Sequence, residues 1–228
     1  MTALFIYPKS TILKRAIPKS RIYAQIVSTT KLKDSFTREV EQITWAYKLA
    51  PETINIPATK SVTEIQVFQV KAKDDKISDE VLRAIDRAIP FPIIFELLSY
   101  DLVQIAVAHK RVSEGDSRKW VVSDHLRSDW VPQSSERSPL PVAISMSSLY
   151  DQILTMLMPI EAEADESIVS QLERIDAILA VEREIKRLES KLKRETQFNI
   201  KVTLHGQLKD AQLMLEKMNK PGKFGGNI

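Results

Sequence analysis

Apolar and polar positions along this chain follow two regimes: short β-type runs over roughly the first two thirds, then a long helical periodicity. Two Pro-Lys-Ser steps, Pro8-Lys9-Ser10 and Pro18-Lys19-Ser20, each follow apolar residues, and proline breaks both into short strands or helical turns. Behind Asp34, a good N-cap, Phe36, Val40, Ile43 and Tyr47 recur at 4-3-4 spacing, which predicts one helix ending at Pro51. Residues 52–56 are a short strand candidate and 57–61 a loop. The β-branched run TEIQVFQVK, residues 63–71, predicts the strongest strand. Ser78 caps a helix striped by Val81, Leu82, Ile85 and Ile89 and stopped by Pro90. Residues 92–99 and 102–109 read as an antiparallel hairpin turning at Tyr100-Asp101, and Trp120-Val121-Val122 as a further strand. An extended connection over 127–141 leads to a helix capped by Ser147 or Ser148.

From about Asp165 the pattern changes. Ile168, Leu172, Ile175 and Leu179, then Ile178, Val181, Ile185, Leu188 and Leu192, form one stripe between charged runs. A polar break at 196–199 separates it from Leu204, Leu208, Ala211, Leu215 and Met218. The expectation is an α+β fold: a mixed β-sheet with packed helices over 1–160, then a coiled-coil-like antiparallel helical hairpin over 161–220. Residues 221–228 read as a flexible tail.

Composition narrows the function classes. With no cysteine in the sequence, disulfides, thiolate zinc sites and cysteine nucleophiles are excluded. No apolar run is long enough to span a bilayer, and the N-terminus lacks a signal-peptide pattern, so the expected location is cytoplasmic. The net charge of +3 implies little alone, but no acidic residue precedes Asp34. Lys9, Lys14, Arg15, Lys19, Arg21, Lys31 and Lys33 therefore form a basic stretch able to contact phosphates, or a solvated face balanced elsewhere in the fold. Phosphate-cradling, dinucleotide and nucleophile-elbow motifs are missing, so no cofactor is expected.

One constellation suggests catalysis. Restriction-type nuclease cores place an acidic residue on one strand and an acidic-x-lysine on the next, and together these hold magnesium. Pro51-Glu52 followed by Glu64-Ile65-Gln66 resembles that pattern, with glutamine where the lysine belongs. Glu64 and Gln66 share one strand face. Glu52 and Glu64 could converge on a hard cation, with Glu39 or Glu41 as a third oxygen ligand. The helix-strand-strand-helix order matches that core in part, because a third strand is wanted before the second helix. The plainer alternative is a polar strand face paired to lysines. His109, His125 and His205 lack partners at helical spacing. Trp45, Trp120 and Trp130 are core, anchoring or base-stacking residues.

The runs WAYKLAPETINI (45–56), EIQVFQVK and IDRAIPFPIIFEL, the Asp129-Trp130 step and the lysine-rich terminal hairpin together resemble the bacterial domain of unknown function 4391 family. The resemblance implies a neighbourhood of restriction-modification and helicase genes in phage-defence islands, and it names no chemistry. The leading expectation is a non-catalytic accessory subunit. Its hairpin would bind a larger helicase or methyltransferase through Ile175, Leu179, Ile185, Leu188, Leu192, Leu208 and Leu215, and its basic N-terminal face would bind DNA. The alternatives are a magnesium-dependent nuclease using Glu52, Glu64 and Gln66, and a structural homodimer.

Overall fold

A computed structural model describes residues 4–113, 115 and 120–219, so the proposed tail at 221–228 lies outside the described residues. The chain divides into two compact units, 1–158 and 159–228.

The first unit is built on a mostly antiparallel seven-stranded sheet. Strand β1 (Phe5–Ile6) precedes a single 3-10 turn (Lys9–Thr11), strand β2 (Ile12–Ala16), and helices α1 (Lys19–Tyr23) and α2 (Thr30–Glu39). Then come β3 (Val40–Leu49), the one-turn α3 (Pro51–Ile54), β4 (Ile65–Ala72), α4 (Asp79–Ala88), β5 (Ile93–Ser99), β6 (Leu102–Val112) and β7 (Trp120–Arg127). Two-residue strands β8 (Val131–Pro132) and β9 (Ser138–Pro139) lead into α5 (Met146–Leu157). The sheet order is β2-β3-β4-β5-β6-β7 with β8 beside β6, while β1 pairs with β9 separately. Within the seven-stranded sheet only β4 and β5 run parallel, because α4 carries the chain back between them; the separate β1/β9 pair is also parallel.

The expected helix beginning at Asp34 is corrected here. Thr29 is the N-cap, its hydroxyl accepting from Leu32 N at 3.2 Å, and the helix stops at Glu39. Residues 40–49 are a strand. Its register against β4 shifts twice, between Val40 and Gln42 and between Trp45 and Tyr47. Each bulge adds a residue to one strand. The buried positions consequently become Val40, Ile43, Ala46 and Leu49, a spacing of three that imitates a helix. The strand expected over 52–56 is likewise a helical turn, with Pro51 at its first position and Asn55 leaving it at φ 55°.

One face of the sheet is covered by α1, α2 and α4, whose Ile22, Phe36, Leu82 and Ile85 pack on Ile43, Phe68, Val70 and Phe95. His125 contacts Phe95 on this face. Ala108 pairs with His125, so the next residue, His109, points to the opposite face, where it stacks 6.5 Å from Tyr150 of α5. The β5/β6 hairpin turns at Tyr100, which adopts φ 49°. At the start of α5, Ser145 and not Ser147 or Ser148 is the N-cap, bonding the Ser148 amide at 3.2 Å.

The second unit holds α6 (Ile168–Arg194) and α7 (Phe198–Asn219), which pack together across a three-residue break. Ser167 caps α6, its hydroxyl accepting from Ser170 N at 3.1 Å. Arg174 clamps Glu166 through two hydrogen bonds of 2.8 and 2.7 Å. No helix among the described residues is long and apolar enough to cross a membrane.

Candidate functional site

The bulged β3 places Lys48 opposite Gln66 in the ladder with β4. Lys48 Nζ lies 2.8 Å from Glu52 Oε1 and 2.9 Å from Glu64 Oε2. Gln66 Nε2 donates to Glu64 Oε1 at 2.9 Å, and Trp45 Nε1 donates to Gln66 Oε1 at 2.7 Å. A continuous chain of hydrogen bonds thus runs Trp45–Gln66–Glu64–Lys48–Glu52. The structure brings together the three residues expected from sequence and adds two, Lys48 and Trp45. Lys48 was hidden because a helical reading of residues 34–50 gives it no strand partner, and the same reading separated Trp45, named only as a core, anchoring or base-stacking residue, from Gln66.

The network is graded from inside to outside. Gln66 is buried, Glu64 is largely covered, and Glu52 is exposed. The hydrogen bond from Lys48 lowers the Glu52 carboxyl below its ordinary range, and the bonds to Glu52 and Glu64 raise Lys48 above its own.

Neither expected third oxygen ligand reaches it. Glu39 Oε2 accepts from Ser78 N at 2.9 Å at the start of α4, while Glu41 pairs with Lys71 at 2.9 Å near the opposite end of β3. No group of three or more His, Asp or Glu among the described residues is arranged to hold a metal ion. Two carboxylates nevertheless suit magnesium, which keeps several waters and takes only one or two protein oxygens. Glu52 and Glu64 each direct one oxygen at the Lys48 ammonium, so they are the residues that would hold such an ion once it displaced the ammonium from between them.

The basic stretch separates into different roles. Lys9 lies on the 3-10 turn, Lys14 and Arg15 on the edge strand β2, Arg21 on α1, and Lys31 and Lys33 on α2, all exposed. Lys33 also lies 5.8 Å over the Tyr23 ring. Lys19 is only half exposed and donates to the carbonyls of Phe36 and Val40 at 2.9 and 2.6 Å, closing the end of α2.

A second lysine–carboxylate network lies inside the fold. Lys110 on β6 is buried and donates to the carbonyls of Asp86, Ile89 and Phe91, the last at 3.0 Å. It sits 3.9 Å from Asp86 Oδ1, while Asp86 Oδ2 is 2.8 Å from His125 Nε2. Burial pushes the Lys110 ammonium down to about 8, against the opposing pull of Asp86. His109 and His125, on opposite faces, do not form a joint site. His205 is exposed on α7. Trp120 lies under Lys110, 5.4 Å from ring centre to Nζ, and Trp130 packs on the core.

On the hairpin, Ile175 and Leu188 are buried, and Ile185, Leu192, Leu208 and Leu215 are partly covered. Of the seven expected partner-binding residues only Leu179 is exposed; the more exposed apolar side chains are Phe198, Val202, Leu213 and Met214.

The family described as Domain of unknown function (DUF4391) matches residues 5–215. The chain belongs to this family. The match spans both units of this DUF4391 protein, so sheet and hairpin belong to one family unit. No curated protein and no solved structure matches the chain.

Proposed function

We propose that the sheet unit carries a metal-dependent phosphodiester-cleaving site of restriction-nuclease type at Lys48, Glu52, Glu64 and Gln66. The observation that supports it is the meeting of Glu52 and Glu64 at one lysine, where β4 begins. Two further features agree. In space β2 completes an antiparallel trio β2-β3-β4 followed by α4 and the parallel β5, although in the chain β2 precedes α1 and α2 and the order helix-strand-strand-helix is retained. The cation missing at Gln66 comes instead from Lys48 on the neighbouring strand.

Magnesium held by Glu52 and Glu64 would supply Lewis-acid stabilisation of a phosphoryl oxygen. The protein's own contribution is orientation and charge. Trp45 fixes the Gln66 amide, Gln66 fixes one oxygen of Glu64, and Lys48, released from between the two carboxylates when the ion binds, would offset negative charge growing on a phosphate. The purified full chain with magnesium or manganese should cleave labelled DNA or RNA. Glu64→Gln should reduce the rate at least about 100-fold with unchanged circular dichroism. If no nucleic acid is cut with either metal, the catalytic reading is wrong.

A second reading is an accessory subunit of a phage-defence or restriction-type system, bound to a larger helicase or methyltransferase. Exposed Phe198, Val202, Leu213 and Met214 on α7 favour it, since apolar side chains in water suit helix docking. A tagged chain expressed in its host should recover such an enzyme, and Val202→Asp with Leu213→Asp should lose it. Recovery of the chain alone, as monomer or homodimer, counts against this role.

A further inference from the structure

We infer that the cavity beside Trp45 receives one unpaired nucleobase, so that the nucleic acid this protein engages is single-stranded or locally opened. The inference rests on the nuclease reading for its setting and concerns a different set of side chains. The cavity, of about 440 Å³, lies between α1, the β3–β4 face and the end of α4. That volume is near the lower end of the range for small-ligand sites and suits one base, not a duplex groove. A base enters such a space only after leaving its stack.

The chemistry of the walls points to the same occupant. Trp45 and Phe68 lie parallel at 6.2 Å between centroids, and Ile17, Ile22, Ile89 and Phe91 complete an apolar enclosure. Three polar side chains, Arg21, Gln25 and Gln66, interrupt it, and no carboxylate lines it. Arg15 is the ladder partner of Trp45, so the pleat puts its exposed side chain on the same face. Neither Arg15 nor Arg21 forms a salt bridge among the described residues, which leaves both guanidinium groups available to phosphates. An apolar slot with aromatic walls and a cationic mouth matches a nucleotide: a flat ring system attached to an anion.

Position links the slot to the proposed chemistry. Gln66 lines the cavity, and its amide bonds both Trp45 and Glu64. A base held there would lie beside the hydrogen-bond chain that leads from Trp45 through Gln66 to Glu64. The slot would thereby select unpaired strands and fix the cut position relative to one base.

The test is fluorescence anisotropy of the full chain in EDTA, where no cleavage occurs. The probes are a short labelled single strand, the same strand with abasic sites throughout, and the corresponding duplex. The intact strand should bind about tenfold more tightly than the abasic strand, and more tightly than the duplex. Ala24→Trp, at an exposed position on the cavity wall, should weaken binding of the intact strand about tenfold and leave the abasic strand unchanged. Equal affinity for intact and abasic strands, tighter duplex binding, or an unaffected Ala24→Trp variant would overturn the inference. So would free dAMP or dTMP competing as well as the strand, since the slot would then belong to a free nucleotide. Because metal is absent, a protein that never cleaves can still pass this test, and one that cleaves can fail it.

Discussion

Lys110 and Lys48 both meet carboxylates, but in opposite surroundings. Lys110 is enclosed between β6 and α4, with three backbone carbonyls and Asp86 around its ammonium. Lys48 lies near the surface, between Glu64, which is largely covered, and Glu52, which is open to solvent. Enclosed charge is held by the surrounding fold and is costly to unpair. Charge at the surface is inexpensive to rearrange and can be offered to a ligand. On the proposed nuclease reading, Lys110 serves structure and Lys48 serves chemistry.

The largest expected effect tests the structural half. Lys110→Ala should destabilise the protein by about 3–5 kcal/mol, because Asp86 and three carbonyls lose their donor. Urea unfolding measures this, and a loss under about 1 kcal/mol would remove the contrast. Next comes pH. With the folded-state Lys110 at about 8, the unfolded chain binds more protons between about 8 and 10.5. Stability therefore rises with pH across that window by up to about 3 kcal/mol, and Lys110→Met should flatten the rise. A smaller free-energy change, on catalysis alone, belongs to the other network. Glu64→Gln should cut cleavage at least about 100-fold, or about 2.7 kcal/mol in barrier, while its urea midpoint stays near that of the parent. The smallest effect sharpens the comparison further: Lys48→Met should change stability by no more than about 1 kcal/mol, since that pair is partly screened by water. A destabilisation as large as that of Lys110→Ala would make Lys48 structural as well.

Legibility in the sequence followed the range of the interactions. The two hairpin helices, the β4 strand, α4 and the β5/β6 hairpin are each specified by neighbours within a few residues, and each was readable from periodicity, caps and turns. Glu52, Glu64 and Gln66 were readable as candidates because their spacing is local. Lys48 was not. Two bulges gave residues 40–49 a spacing of three between buried side chains, so the strand passed for a continuation of α2 and its pairing with β4 was invisible. The Asp86–Lys110–His125 network was equally hidden, since its members come from α4, β6 and β7 and share no motif.

The sequence by itself determined which segments are helical or extended over most of the chain and that two long helices close it. Only the tertiary structure decided that Lys48 lies opposite Gln66 and meets Glu52 and Glu64, that Lys19 closes a helix instead of facing solvent, and that Trp45 lines a cavity. The physical reason is register. Cross-strand neighbours are fixed by backbone pairing between distant segments, and a single inserted residue changes which side chains meet.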